Sequence, residues 1–404
     1  MKVSIVGQGY VGQSLAIAAA HAGHIVLGYD VNPDLINQLV DGKSYVPGVN
    51  SNVLFELQKK GNFTPTTNAQ LISNSEIVII AVPTPLDVNR QPDLSFVFSA
   101  CKVIAENCHS GTLIINESTS YPGTLRNVIV PTVEKAGKKE FMFASAPERV
   151  DPGNSDWNIG NTPRVIAGLN AVATSKAIQF YSTFCSSLYE VSSPEIAEAS
   201  KLFENTFRQI NISLVNEFSI ISKALGFSAH EAIKAASTKP FGFMPFFPSI
   251  GVGGHCIPVD PIYLSHIAES VGIEPKFIKL ANSTNLNMPS VVAHQINNFI
   301  QGGLSGKKVQ IAGIAYKPGV PDMRESPVVY LIKELKKLGG EVIWCDPLVS
   351  EYNGEKSTPL TLDIDLGLII TPHEEFDFSI WKNSKIQVLD LSPNLINFGW
   401  PKFL

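Results

Sequence analysis

Apolar positions change their pattern twice along the chain, and each change predicts a change in the kind of structure. Lys2 to Val6 is β-branched and runs into glycines. An Ala-rich helical stretch to about Ala22 follows, then a second apolar strand, Ile25 to Tyr29. Strands are again predicted over Glu76–Val82, Thr112–Asn116 and Phe141–Ser145, with a helix over Leu94–Asn107. Strands that are apolar throughout and alternate with helices predict a parallel sheet covered on both faces. From Ser193 to Gly226 the spacing becomes three and four, with Phe203, Phe207, Ile210, Leu214, Phe218 and Ile221 on one face and Lys201, Asn205 and Arg208 on the opposite one. Further helices over 228–237, 260–271 and 289–301 make the middle of the chain helical. Beyond the Gly302, Gly303, Ser305, Gly306 boundary, strands over 307–312, 341–345 and 366–370 and a helix over 326–338 restore an α/β pattern. The predicted architecture is α/β, with two doubly wound domains (1–192 and 303–404) joined by a helical central region with a long helix (193–302).

The first βα junction carries specific chemistry. Strand, Gly7-Gln8-Gly9-Tyr10-Val11-Gly12, helix, strand and Asp30 stand at the separations of a Rossmann-like dinucleotide site. The first glycine permits the turn, the second lets backbone approach a pyrophosphate, and the third lets helix pack on strand. Asp30 would bind ribose hydroxyls, and no Arg follows it in Val31–Leu35 to take a 2′-phosphate, so NAD is favoured over NADP. Ligands of open α/β sheets lie beyond the carboxyl ends of strands. Pro83, Thr84 and Pro85, and then Glu117, Ser118, Thr119 and Ser120, form two loops at such ends, whose hydroxyls are placed to face that cofactor or to serve as caps and turn formers. Glu148, Arg149 and Val150 offer a carboxylate and a guanidinium at a third loop.

Composition narrows the remaining possibilities. The chain has 404 residues and a formal charge of −5, which leaves no broad basic field for nucleic acid. Its five cysteines are scattered and form no CxxC pair, which argues against a disulfide framework or a zinc site. No leader-like stretch and no run of about 20 apolar residues is present, so a cytoplasmic location away from membranes is expected.

One of those cysteines stands out. Gly251–Pro261, GVGGHCIPVDP, places Cys256 behind Gly253, Gly254 and His255, with Asp260 four residues on. Close glycines let backbone approach a ligand or a reacting thiol. A buried structural cysteine in a tight turn is the bland alternative. The Lys201 and Asn205 stripe likewise reads either as a solvated face or as an ammonium and an amide aimed at a developing alkoxide. Lys317 and Arg324 sit in the first loop of the C-terminal α/β region, where phosphate binding is expected.

Taken together, these stretches resemble the UDP-sugar 6-dehydrogenases. The resemblance rests on GQGYVG, Pro83–Pro85, ESTSYPGT from Glu117, Pro147–Arg149, KLFENTFRQINISLVNE from Lys201, GGHCIPVDP and YKPGVPDMRES, which follow one another in the family's order over nearly the whole chain. It implies a homodimer built on the long helix, NAD in the N-terminal domain, UDP held with help from the C-terminal one, and oxidation of a sugar C6 alcohol to a carboxylate with two NAD. It further implies Cys256 as nucleophile, Lys201 and Asn205 as oxyanion stabilisers, Asp260 as general base through water, and Glu148 with Thr119 at thioester hydrolysis. Pro83, Thr84, Thr119 and Arg324 fall on the cofactor side. Glu148, Arg149, Val150, Lys201, Asn205, Arg208, Gly253, Gly254, His255 and Lys317 fall on the sugar-nucleotide side. TKPFGFMPFFPS from Thr238 and His255 resemble the N-acetylhexosamine branch, which favours UDP-N-acetylglucosamine over UDP-N-acetylmannosamine or UDP-glucose. The chain departs from the family at its last strand, where Asp390-Leu391-Ser392-Pro393 lacks the usual Arg. Two other readings use parts of the pattern: an NAD enzyme with no covalent step, and a silent NAD or nucleotide-sugar binding protein.

Overall fold

The computed structural model describes residues 1–44, 46, 49–135, 139–151, 154, 156–393, 396 and 398–404. The chain forms two compact units, Met1–Glu204 with Ile262–Ile273, and Asn205–Pro261 with Glu274–Leu404.

Among the described residues the first unit holds eight strands: β1 (Lys2–Val6), β2 (Ile25–Tyr29), β3 (Phe63–Thr66), β4 (Ile77–Ile80), β5 (Leu113–Asn116), β6 (Met142–Ser145), β7 (Arg164–Gly168) and β8 (Leu188–Glu190). Their order is β3-β2-β1-β4-β5-β6-β7-β8. Pairing is parallel from β3 through to β6, β7 runs antiparallel to β6, and β8 is parallel to β7. The expected parallel sheet is present. Every residue of β4 and β5 is buried, as the unbroken apolar runs require. The strand order reverses between β1 and β4, so the carboxyl ends of those strands form a crevice where a ligand can sit.

The second unit holds β9 (Lys308–Ala312), β10 (Glu341–Cys345), β13 (Leu366–Ile369) and β14 (Gln387–Asp390), paired in parallel in the order β10-β9-β13-β14. A small antiparallel hairpin, β11 (Glu351–Tyr352) and β12 (Glu355–Lys356), stands apart from that sheet. Ile311, Leu331, Leu335 and Leu368 of this unit's core are fully buried.

One expectation about helices needs correction. The segment expected to begin at Pro289 is helical from Lys276 to Phe299, with Pro289 inside it. Proline cannot donate to the carbonyl four residues back. The freed carbonyl of Asn285 lies against Gly251, where a Cβ would come within 2.9 Å of it. The long helix is a single 32-residue element, Pro194–Leu225, and much of the apolar face read from its spacing is exposed. Phe203 is 68%, Leu214 60% and Ile221 47% exposed. What it buries instead is a third stripe, Leu202, Thr206, Gln209, Ser213 and Asn216. Periodicity reveals that a helix has an apolar face, not what covers it.

Candidate active site

The glycine turn after β1 is built as the sequence predicts. Gly7 has φ +94°, and a Cβ on it would lie 2.3 Å from the Ala81 carbonyl oxygen. A Cβ on Gly12 would fall 1.9 Å from the Gly7 oxygen, whereas one on Gly9 would meet nothing within 4 Å. The first and third glycines are therefore packed, and the second faces open space that a phosphate group fits. The helix Tyr10–His21 starts at Gly9 with no side-chain cap, and the first turn of a helix carries positive dipole toward an anion placed before it. Asp30 accepts the Gln8 amide through Oδ2 at 2.7 Å and the Asn32 amide through Oδ1 at 2.9 Å. Each oxygen keeps a lone pair for a ribose hydroxyl. These residues fit NAD.

Beyond β4 and β5 the two loops are tied by Ser118, whose Oγ accepts the Val82 amide at 2.9 Å. Pro83 is exposed, and Thr84 and Thr119 are half-buried. The tight turn after Thr119 is held from the long helix by Glu198, which accepts the Gly123 amide at 2.7 Å and the Leu125 amide at 2.8 Å.

Glu148, after β6, is buried in a set of charges. Its Oε1 accepts the Arg149 and Val150 amides, both at 2.6 Å, and its Oε2 pairs with Arg164 Nη2 at 2.8 Å. Arg164 Nη1 lies 2.9 Å from Glu117 Oε1, and the Tyr181 hydroxyl donates to that same oxygen. Burial disfavours ionised Glu148, but the Arg164 guanidinium and the Val150 amide outweigh it and hold the carboxyl below its ordinary range. Glu117, with burial the larger influence, is pushed up to about 7 despite Arg164. Arg149 forks onto Glu204, with Nε 3.0 Å from one oxygen and Nη2 2.5 Å from the other. Lys201 is half-buried on the long helix, and its charge also favours ionised Glu148.

In the second unit the Cys256 loop is moulded on its neighbours. A Cβ on Gly253 or Gly254 would come within 2.8 Å of Tyr316 side-chain atoms, and the Gly254 amide donates to the Arg324 carbonyl at 2.9 Å. Cys256 and His255 are half-buried. The Cys256 carbonyl accepts the Val259 amide at 3.1 Å and the Asp260 amide at 2.8 Å, which leads into the helix Asp260–Ser270. Asp260 is fully buried, and its Oδ2 accepts Asn205 Nδ2 at 2.7 Å. Two further residues of the long helix grip the same loop: Gln209 donates to the Ile257 carbonyl at 3.3 Å, and Asn216 accepts the Ser249 amide at 2.8 Å. Asn205, Gln209 and Asn216 recur at helical spacing, a signal present in the sequence that hydrophobic periodicity passes over.

The neighbouring loop carries Lys317, half-buried, and Arg324, whose Nε and Nη2 lie 3.0 and 2.6 Å from Asp322 Oδ2. Its base is set by a residue that sequence reading missed. His373 accepts the Gly319 amide at Nδ1, 3.0 Å, so its proton sits on Nε2, which faces Asp346 at 3.2 Å. Arg208 is exposed on the long helix. After β14, where the expected Arg is missing, Lys402 places Nζ 2.9 Å from Asp390 Oδ2 and 2.7 Å from Ser392 Oγ.

Comparison with known proteins places this arrangement. Models of the UDP-glucose/GDP-mannose dehydrogenase family match in three parts: the NAD binding domain over residues 1–185, the central domain over 195–287 and the UDP binding domain over 310–396. The chain is 34% identical to a UDP-N-acetyl-D-glucosamine 6-dehydrogenase of Pseudomonas aeruginosa, covering 87% of this chain and 83% of that one. It is 32% identical to a UDP-N-acetyl-D-mannosamine dehydrogenase of Pyrococcus horikoshii, covering 95% and 92%. A solved structure of a UDP-D-ManNAc dehydrogenase from Pyrococcus horikoshii superposes with a TM-score of 0.89 at 30% identity, covering 100% of this chain and 97% of that one. The chain belongs to the UDP-glucose/GDP-mannose dehydrogenase family and is an NAD-dependent UDP-sugar dehydrogenase.

Proposed function

We propose that the chain oxidises the C6 alcohol of a UDP-N-acetylhexosamine, UDP-N-acetylglucosamine first among them, to the uronic acid through Cys256. The observation that carries this reading is a half-buried thiol on the turn that leads to a fully buried carboxylate, Asp260, itself held by an amide of the long helix. Bound NAD supplies the electron acceptor for both oxidation steps. Lys201 and Asn205 hold the C6 oxygen as its charge develops, and Asp260 takes the proton through a water. The Cys256 thiolate adds to the C6 aldehyde and forms a C–S bond. After the second oxidation that bond is a thioester, which water cleaves to release the acid and the thiol. Thr119 and Glu148 position that water. Arg149, Val150, Arg208, Gly253, Gly254, His255 and Lys317 form the sugar-nucleotide side, and Pro83, Thr84 and Arg324 lie toward the cofactor. We keep the functional division into 1–192, 193–302 and 303–404.

The sugar assignment rests on Thr238–Ser249 and His255. The second reading, UDP-N-acetylmannosamine, is favoured by the name of the structure that superposes at 0.89. NADH yield with limiting UDP-N-acetylglucosamine, UDP-N-acetylmannosamine and UDP-glucose separates them. Two NADH per UDP-N-acetylglucosamine, with little from the others, is the expected result. Turnover confined to another sugar would move the assignment, and no turnover with any would leave a binding protein.

The homodimer is part of the same proposal. Phe203, Phe207, Leu214 and Ile221 form an exposed apolar stripe along one helix of about 48 Å. Such a stripe marks an interaction face. Phe203→Asp with Leu214→Asp is expected to convert a dimer to a monomer in light scattering. An unchanged mass would place the dimer contact elsewhere. The same proposal includes a cytoplasmic location, which rests on five scattered cysteines without a CxxC pair; among the described residues no helix is long and apolar enough to cross a membrane.

A further inference from the structure

The buried charges around Glu148 carry an inference that rests on the thioester reading above. Arg164 opens β7 and is 4% exposed, yet it makes no contribution to an apolar core. Its guanidinium donates to the Ala146 carbonyl at 3.1 Å, pairs with Glu117 and Glu148, and lies 4.6 Å from the centre of the Tyr181 ring. Those partners come from three places. Glu117 ends the run out of β5, Glu148 ends the run out of β6, and Tyr181 closes the helix Ala171–Tyr181. A buried ion pair is weak evidence for stability, because well-packed apolar residues often serve as well. This one instead fixes a geometry: it ties together the ends of the two loops that carry Thr119 and Glu148.

We propose that Arg164 is a positioning residue for the reaction, locking Glu148 as an anion of fixed orientation, with Glu117 and the Tyr181 hydroxyl on the far side of the guanidinium. One guanidinium stands between two carboxylates, so full ionisation would leave a net negative charge in a buried place. Burial pushes Glu117 up to about 7, so Glu117 rather than Glu148 takes the proton that relieves this charge, while the Tyr181 hydroxyl, a neutral donor, holds Glu117 Oε1. The other titratable groups facing the set are Cys185, just beyond Tyr181, and Lys201, from the long helix. With both Oε1 bonds on backbone amides and Oε2 on Arg164, Glu148 accepts and orients water; it does not store protons.

The sign of the pH effect follows. Arg164 favours ionised Glu148, so removing it raises the pH at which Glu148 takes a proton, and activity that needs the anion falls sooner on acidification. The test is the pH profile of kcat for Arg164→Met and Arg164→Lys, each also in a Glu148→Gln background, with melting and NAD affinity measured alongside. The acid half-point of R164M is expected to move up by about one pH unit or more, tenfold in proton concentration. NAD affinity should stay within about twofold, and R164M should add less than about threefold loss to E148Q, as residues of one network behave. R164K, which keeps the charge but not the planar fork, should show a smaller shift in the same direction, and it carries the test if R164M does not fold. An unmoved acid limb, or equal losses in the wild-type and E148Q backgrounds, would overturn the role of Arg164 while a yield of two NADH leaves the thioester reading intact. A wild-type yield of one NADH per sugar would overturn both.

Discussion

Replacing Cys256 with alanine is expected to lower kcat by about 10⁴-fold or more, the scale on which enzymes lose rate when a nucleophile is removed. The same change should leave NAD affinity and melting nearly unaltered, because a half-buried loop position is not a core position. Cys256→Ser is the more informative variant. A hydroxyl is a far weaker nucleophile than a thiolate, so single-turnover NADH should drop from two per sugar to one at most. Thiol labelling gives an independent check. Burial pushes Cys101 and Cys108 up to about 12, and raises Cys185 and Cys345 as well. Thiols so held are poor nucleophiles at neutral pH. Iodoacetamide at pH 7 should therefore modify Cys256 first and inactivate in proportion, with bound sugar nucleotide protecting. Activity surviving in C256S with an unchanged yield would return Cys256 to a structural role and favour an NAD enzyme with no covalent step.

What could be read from the sequence, and what could not, follows from the range of the interactions involved. The Gly7–Gly12 turn and Asp30 are legible because strand, turn, helix and strand are consecutive, and each glycine answers a contact within that unit or the next strand. The Cys256 loop is legible for a similar reason: its glycines, His255, Cys256 and Asp260 lie within one short stretch. Glu117 and Glu148 are legible singly, but their grouping around Arg164 and Tyr181 is not, because the members meet only through the sheet. Glu117, Glu148 and Tyr181 stand at β5, β6 and a later helix, and a single Arg at the head of an apolar strand carries no local signature. On the long helix the apolar stripe and Asn205 are legible, but the buried stripe is not. Phe203 and Leu214 do form a stripe, but the faces that hold this chain together bear Gln209, Asn216 and Asn205, whose amides satisfy backbone and carboxylate groups of the Cys256 loop and its flanks. A buried polar face needs its partners known before it can be recognised. Pro289 misled for a local reason, since proline suits a helix's first turn and was read as one. Its place inside the helix is accommodated where Gly251 approaches the freed carbonyl.

Asp260→Asn is expected to lower kcat by about 10²- to 10⁴-fold, the range of a positioned acid or base, with KM changed by no more than a few-fold. A bland role for Asp260 exists, because it also begins the helix Asp260–Ser270, where a carboxylate stabilises the first turn. That effect reaches about 2 kcal/mol away from the surface and acts on stability. It cannot supply a hundredfold loss in turnover at constant KM, so magnitude decides between the two. Asn205 supplies the second half of the argument. Its Nδ2 lies 2.7 Å from Asp260 Oδ2, and Asp260 is fully buried. Asn205→Ala therefore strips a donor from a buried carboxylate, which costs about 1–3 kcal/mol of stability. In D260N the new amide opposes the Asn205 amide, donor against donor, unless one of them flips. The two substitutions act on one hydrogen bond and should be non-additive in kcat, with a coupling of about 0.5–3 kcal/mol in a double-mutant cycle. Additive losses would mean that the hydrogen bond between the two carries no part of the rate, with Asn205 on the C6 oxygen and Asp260 on the water acting independently. A D260N enzyme within a few-fold of wild type would leave Asp260 as a helix-starting residue, and the general base would then have to be sought among the other groups of the Cys256 loop.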